Sequence, residues 1–271
     1  MSEIRLKLHP RQSLAFLSKA TEILYGGAAG GGKSHLMRVV AIMLCMAVAG
    51  LQVYIFRRVS DDLRKNHLEG PSGLRAMLAA LMTSGYVKFN DSKGIFEFWN
   101  GAKIYLCHCQ HEKDMYKYQG AEIHVLLMDE LTLFTEAIYR FLRGRVRLGG
   151  LNVPSEYKHK LPLVLCGSNP GNIGHVWVKK MFVDYAPPME ITRTPAAEGG
   201  MLRQYIPAKL ADNPTLAAND PDYESRLEGL GNPALVAAMK NGDWDIIDGA
   251  YFSEFERSRH VLKPFTIPAH W

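Results

Sequence analysis

Apolar positions along the chain fall into short runs broken by glycine, asparagine and aspartate, and each run predicts one element. Glu22-Ile23-Leu24-Tyr25 leads into Gly26-Gly27-Ala28-Ala29-Gly30-Gly31-Gly32-Lys33-Ser34, and Leu36 to Ala49 then predicts a long helix. The order is strand, glycine loop, helix. The later half of that helix is apolar all round, so other elements must cover both of its sides. Val53-Tyr54-Ile55-Phe56 predicts a second buried strand, ending at Arg57-Arg58. A helical crossover between two such strands makes a βαβ unit and a parallel pair.

Further on, Tyr86 to Asn90, Ile95 to Trp99 and Lys103 to His108 are separated by Asp91-Ser92-Lys93-Gly94 and Asn100-Gly101. Such breaks are hairpin turns, which predicts an antiparallel sheet edge. Two more buried strands, Ile123 to Met128 and Leu163 to Cys166, end in Asp129-Glu130 and in Ser168-Asn169, and Leu202 to Ile206 is the last strand. Ligands bind at such carboxyl ends of parallel sheets. After residue 208, Asn213-Pro214, Asp220-Pro221 and Asn232-Pro233 each pair an N-cap with a proline suited to the first helical position. The expected organisation is an α/β core over 1–208, a small helical subdomain over 209–250 and a linker-like tail over 251–271.

Composition narrows the class. Among 271 residues 47% are hydrophobic and 22% charged, which excludes a disordered or collagen-like chain. The longest nearly unbroken apolar run, Val39 to Leu51, is short of the roughly 20 residues of a membrane span, and Met1-Ser2-Glu3-Ile4-Arg5 carries no signal-peptide core. A soluble, cytoplasmic protein is expected, with no membrane partner. Cysteines 45, 107, 109 and 166 are too few and scattered for a disulfide framework. The net charge of +5 suits a nucleic-acid partner but does not by itself select one.

The chemistry lies in three places. Gly27 to Ser34 satisfies G-x-x-x-x-G-K-[ST] in the required setting of strand and helix: backbone N–H groups of Gly27, Gly30, Gly31 and Gly32 are suited to cradle phosphates, Lys33 to reach the β- and γ-phosphates, and Ser34 to ligate Mg²⁺. ATP and Mg²⁺ are therefore the expected cofactors. Val125 to Met128 delivers two carboxylates, with Asp129 expected to hold Mg²⁺ and Glu130 to act as general base on the attacking water. Asn169 would stand beside these acids if its strand neighbours theirs, as a sensor of the γ-phosphate.

Further candidates lie outside these three motifs. Gln12, in His9-Pro10-Arg11-Gln12, is a candidate to read an adenine edge through its amide donor and acceptor. Charge on the departing phosphate calls for an arginine, and Arg140, Arg143, Arg145 and Arg147 follow the acids; Arg145, offered to a neighbouring subunit, is the one singled out. Arg57 and Arg58, with Arg64 and Lys65, are candidates to meet a nucleic-acid backbone. Cys107-His108-Cys109 and His111 lack a second ligand pair for a structural Zn²⁺ site, so the cysteines are read as packing residues.

The ordered set resembles the large terminase subunit of tailed bacteriophages: Gly26 to Ser34, Leu127-Met128-Asp129-Glu130, Gly167-Ser168-Asn169-Pro170, Leu210-Ala211-Asp212-Asn213-Pro214 and Gly242-Asp243-Trp244. The resemblance implies a RecA-like P-loop core with a helical lid and an ATPase that drives double-stranded DNA into a procapsid. It also implies a subunit ring on a portal protein, a small terminase partner, and work in the host cytoplasm while docked on the procapsid. A nuclease domain is implied too, but the residues after the lid are too few to form one, so the tail at Trp271 is expected to mark where it was left off. The loop also lacks the arginine some members carry there, which favours a finger from 140–147 in trans. A RecA- or helicase-like DNA-dependent ATPase and a nucleotide switch with little turnover are the competing expectations.

Overall fold

The computed structural model of the chain describes residues 6–245 apart from Asn232. The third expected cap at Asn232 and the expected tail over 251–271 lie outside the described residues. The strands are β1 (Glu22–Gly27), β2 (Gln52–Arg57), β3 (Val87–Asn90), β4 (Ile95–Phe98), β5 (Lys103–His108), β6 (Val125–Asp129), β7 (Leu163–Ser168), β8 (Thr192–Arg193) and β9 (Leu202–Ala208). They form one sheet in the order β3-β4-β5-β2-β6-β7-β1-β9-β8. Across the sheet from β5 to β9 every pairing is parallel, while β3-β4, β4-β5 and β8-β9 are antiparallel. The α/β class is as the strand–loop–helix pattern predicts and the antiparallel hairpin edge as the turn chemistry predicts; the two-residue β8 had no sequence signal.

One expectation fails. β1 and β2 run parallel but are not partners, because β6 and β7 lie between them. Helix α2 (Lys33–Ala47), which follows the short helix α1 (Pro10–Leu17), connects them and lies across β6 and β7. At about 1.5 Å per residue its 15 residues span about 22 Å. Three strand spacings of about 4.8 Å need only about 14 Å. A crossover of this kind sets direction and handedness, not adjacency. The helix also begins at Lys33, three residues before the predicted start, because Gly32 at φ 75° turns the loop directly into it.

The central strands β1, β6 and β7 are buried along their whole length without alternation because both sheet faces are covered there. Val125 and Leu127 of β6 and Leu163 and Leu165 of β7 pack beneath α2, whereas Leu126, Met128, Val164 and Cys166 face an opposite layer with Phe134, Tyr139 and Phe182. Cys107 and Cys109 are buried in that second layer. Among the described residues, no helix is long and apolar enough to cross a membrane.

Beyond β9, Asn213 caps the helix Pro214–Asn219 by accepting from the Leu216 N–H, as predicted. The next helix, Tyr223–Glu228, starts two residues later than Asp220-Pro221 implies, with Asp222 at its N-cap. Asp220 instead pairs with Arg226. A third helix covers Pro233–Asn241.

At the amino end of β1 a charged group is fully enclosed. Glu22 accepts from Arg203 Nε at 2.7 Å, Arg143 Nη1 at 2.8 Å and Tyr139 Oη at 2.6 Å. Burial opposes its charge, but Arg203, Tyr139 and Arg143 outweigh it and hold the carboxyl below 4.5. Removing one partner of such a network strands the others without compensation. Glu22→Gln is therefore expected to cost about 3 kcal/mol at neutral pH, read by urea denaturation. Since the folded value is lowered, the Glu22 contribution is complete above pH 4.5 and disappears as pH falls through the folded value. The gap between wild type and variant should accordingly narrow in acid.

Candidate active site

The carboxyl ends of β1, β6 and β7 are neighbours, with Gly26 paired to Ser168 and Asp129 to Gly167. This places the glycine loop, the acidic pair and Asn169 at one edge. Lys33, the first residue of α2, is buried; its Nζ donates to Ala28 O at 2.8 Å and to Asn169 Oδ1 at 2.5 Å. Burial lowers the Lys33 pKa, and Glu130 and Asp129 oppose that shift. The ammonium is thus held at the loop by neutral oxygens while two carboxylates stand close enough to support its charge.

Across the loop, Ser34 Oγ donates to Asp129 Oδ2 at 3.1 Å. The same oxygen accepts from Arg57 Nε at 3.0 Å and is joined to His67 Nε2 at 2.9 Å. Burial works against the Asp129 charge, yet His67, Arg57 and Lys33 keep its carboxyl well below the usual range. Asp129 Oδ1 is buried with no hydrogen-bond partner. A hydroxyl and a fully ionised carboxylate with one uncommitted oxygen are hard donors of the type Mg²⁺ takes, so this pair fits the metal.

Glu130 follows in a left-handed conformation, φ 56°, which is uncommon for a residue with a side chain. Its Oε1 lies 3.7 Å from Arg57 Nη2. Burial and the adjacent Asp129 raise its pKa, the direction that makes a carboxylate a better proton acceptor. Beyond it, Thr132 and Ser168 tie the acidic loop to the Asn169 loop. The Thr132 N–H donates to Ser168 Oγ at 3.1 Å, the Ser168 hydroxyl to Thr132 Oγ1 at 3.0 Å, and the Thr132 hydroxyl to Asn169 O at 3.1 Å.

The structure brings Lys33, Ser34, Asp129, Glu130 and Asn169 together and places other candidates elsewhere. Gln12 is buried against the loop: its Oε1 accepts from the His9 N–H at 2.8 Å and its Nε2 donates to Gly32 O at 2.9 Å. The amide expected at an adenine edge is thus engaged in holding the phosphate loop. Gly32 must stay bare, since an added Cβ would overlap that amide.

Arg57, expected on a nucleic-acid surface, faces the two acids because the end of β2 adjoins β6. Arg58 donates to Leu133 O, and Arg64 pairs with Asp91 at the exposed edge. Arg145 stacks on Phe141 and donates to Gln119 O. It lies beside Ile123, at the opposite end of β6 from Asp129 and about 20 Å away along the strand. Arg140, Arg143 and Arg147 pair with Glu136, Glu22 and Glu122.

His67 escaped sequence reasoning. It sits in the π-helical turn Arg64–Leu68, far from any motif, and only the folded chain carries it to Asp129. Its one local signal is a histidine next to an apolar residue, which is too common to single out.

With this geometry in view, known proteins give a consistent comparison. The family model described as terminase large subunit, T4likevirus-type, N-terminal matches residues 24–259. No curated protein sequence matches the chain. The large terminase of a thermophilic bacteriophage superposes with a TM-score of 0.62 at 15% identity, covering 88% of this chain and 54% of that one. The same protein in complex with ADP gives 0.63 at 14% identity, over the same shares. The Thermus phage P74-26 large terminase ATPase domain gives 0.57 at 13% identity, with 88% and 94% covered. The chain spans about half the length of the thermophilic bacteriophage large terminase that it matches. At these identities the structural likeness establishes the fold, and the match over residues 24–259 establishes the family: the chain belongs to the terminase large subunits, in their N-terminal part.

Proposed function

We propose that this chain is the ATPase motor domain of a viral large terminase and couples ATP hydrolysis to translocation of double-stranded DNA into a procapsid. The observation that carries the reading is the Lys33 ammonium, set between Ala28 O and Asn169 Oδ1, with Ser34 joined to Asp129 across the loop. The thermophilic bacteriophage large terminase in complex with ADP and with ATP-gamma-S has the same fold, which supports a nucleotide at this edge.

Lys33 supplies positive charge to the terminal phosphates, and the N-terminus of α2 presents its first N–H groups to them. Ser34 and Asp129 would hold Mg²⁺, whose charge offsets that building on the phosphate oxygens. Glu130 orients the attacking water and takes its proton. Arg57, close to both acids, balances their charge while the site is free of nucleotide. Asn169 hydrogen-bonds Lys33 and touches Thr132 through its carbonyl, so movement at the terminal phosphate reaches two loops.

Arg145, too distant to serve its own site, is offered to the next subunit of a ring. Double-stranded DNA, the portal protein and the small terminase subunit are the proposed partners, and the bacterial cytoplasm, on the procapsid, is the proposed place of work.

Steady-state phosphate release with and without double-stranded DNA tests the reading. Lys33→Ala and Glu130→Gln should each lower turnover by about a hundredfold or more while the fold persists. Glu130→Gln should still bind ADP in calorimetry; undiminished turnover in either variant removes the assignment. For Arg145→Ala, the expected result is loss of the rise in specific activity with protein concentration that a finger in trans produces. A specific activity independent of concentration in the wild-type chain and unchanged in the variant would exclude that role.

A further inference from the structure

The phosphate loop follows β1 and the Asn169 loop follows β7, and catalysis on this reading requires the two to keep a fixed relation. The β1–β7 pairing, which ends at Gly26 and Ser168, fixes where the two loops start; beyond it, Lys33 Nζ to Asn169 Oδ1 joins only the ends of two side chains and does not hold the loop backbones that follow. A second link runs through Trp244, which follows the helix Pro233–Asn241 and is buried against the second sheet face.

Trp244 is bonded toward both loops. Its indole Nε1–H donates to Tyr205 Oη at 3.1 Å, and the Tyr205 hydroxyl donates to Gly26 O, at the start of the phosphate loop, at 3.4 Å. On the other side, its backbone carbonyl accepts from His175 Nε2 at 3.1 Å. His175 Nδ1 accepts the Gly171 N–H at 2.8 Å, two residues after Asn169. Those two partners assign the imidazole proton to Nε2, since a carbonyl accepts and an amide N–H donates. His175 and Tyr205 also lie against the indole, with ring centroids 5.5 and 6.5 Å from it.

The same segment touches the phosphate loop at two more points. The Ala29 N–H donates to Met239 O at 2.7 Å. Gly242, at φ 69°, backs onto Gly27 and Ala28 so closely that a Cβ would come within 2.7 Å of the Gly27 carbonyl carbon. Residues 239–244 therefore press on the loop where it leaves β1 while Trp244 reaches across to the Asn169 loop.

We propose that Trp244, acting through Tyr205 and His175, is a positioning residue that holds the phosphate loop and the Asn169 loop in register beyond the β1–β7 pairing and registers nucleotide arrival between them. This rests on the nucleotide-site reading above. All three side chains are buried and committed to one another and to the Gly26 carbonyl and Gly171 N–H. Their effect is on how Lys33 and Asn169 face it, so they should govern turnover more than affinity.

The test uses the full 271-residue chain, with ADP and ATP-gamma-S as probes. Trp244→Phe keeps an aromatic body and removes the indole N–H; Tyr205→Phe removes only the hydroxyl between Trp244 and Gly26. In the wild-type chain, ADP should change tryptophan emission. The change should be lost in Trp244→Phe, kept in Trp99→Phe, and reduced by more than about half in Tyr205→Phe, while calorimetry finds ADP affinity within about threefold of wild type. Turnover should fall about three- to tenfold in both hydrogen-bond variants with KM within about twofold, the scale of one lost hydrogen bond. If Tyr205→Phe keeps the full emission change and wild-type kcat, the proposal is overturned, whatever happens to its melting temperature. A wild-type chain that binds no ADP in calorimetry would overturn the nucleotide reading and this inference with it. Normal ADP binding with a silent Trp244 overturns this inference alone.

Discussion

A buried carboxylate at the end of β6 organises the candidate site. Asp129 is inaccessible to solvent, and such a charge is tolerated only where donors surround it. Its Oδ2 meets Ser34 from the start of α2, Arg57 from the end of β2 and His67 from a π-helical turn. Three remote stretches are thereby drawn to one atom, and each brings a feature the site needs: the phosphate loop, a balancing cation and a support for the acid. The other oxygen is left uncommitted, which is the group a hard cation takes. The cost of enclosing the charge and the presence of one uncommitted oxygen have the same origin.

The rest of the architecture keeps that site in place. Parallel strands covered on both faces form a stiff frame, and the ends of β1, β6 and β7 emerge side by side because α2 steps over two strands before β2 begins. At the opposite end the Glu22 network joins β1 and β9 to the helix Glu136–Arg143. Arg143, which sequence alone allows as a catalytic arginine, is committed there to Glu22. The helical segment after β9 does more than cover the site, since it returns to the sheet at Trp244 and lies against the phosphate loop at Gly242.

Much of this was legible beforehand where local chemistry is decisive. The glycine loop, the acids at the end of a buried strand, the Asn-Pro cap at 213–214 and the Asn/Asp/Gly hairpin turns carry their physics within a few residues. The remaining placements are set by long-range packing. Arg57 looks like a surface cation until β2 is placed beside β6. Gln12 looks free to read a base until its helix packs on Gly32. His67 has no motif to announce it, and Asp220-Pro221 resembles a cap although Arg226 draws Asp220 into an ion pair.

The sequence by itself determined the class of chemistry and the family. Backbone N–H groups around phosphate require glycines in a fixed order before Lys33 and Ser34, and an apolar run can deliver Asp129 and Glu130 only at its end. Tertiary structure decided which of the many charged and polar side chains share the site. Strand order, unlike strand identity, follows from how α2 and the crossovers pack, and that packing sums weak, nondirectional apolar contacts over the entire sheet. No short stretch of the chain contains that sum, so the places of Arg57, His67, Arg145 and Trp244 emerged only with the fold.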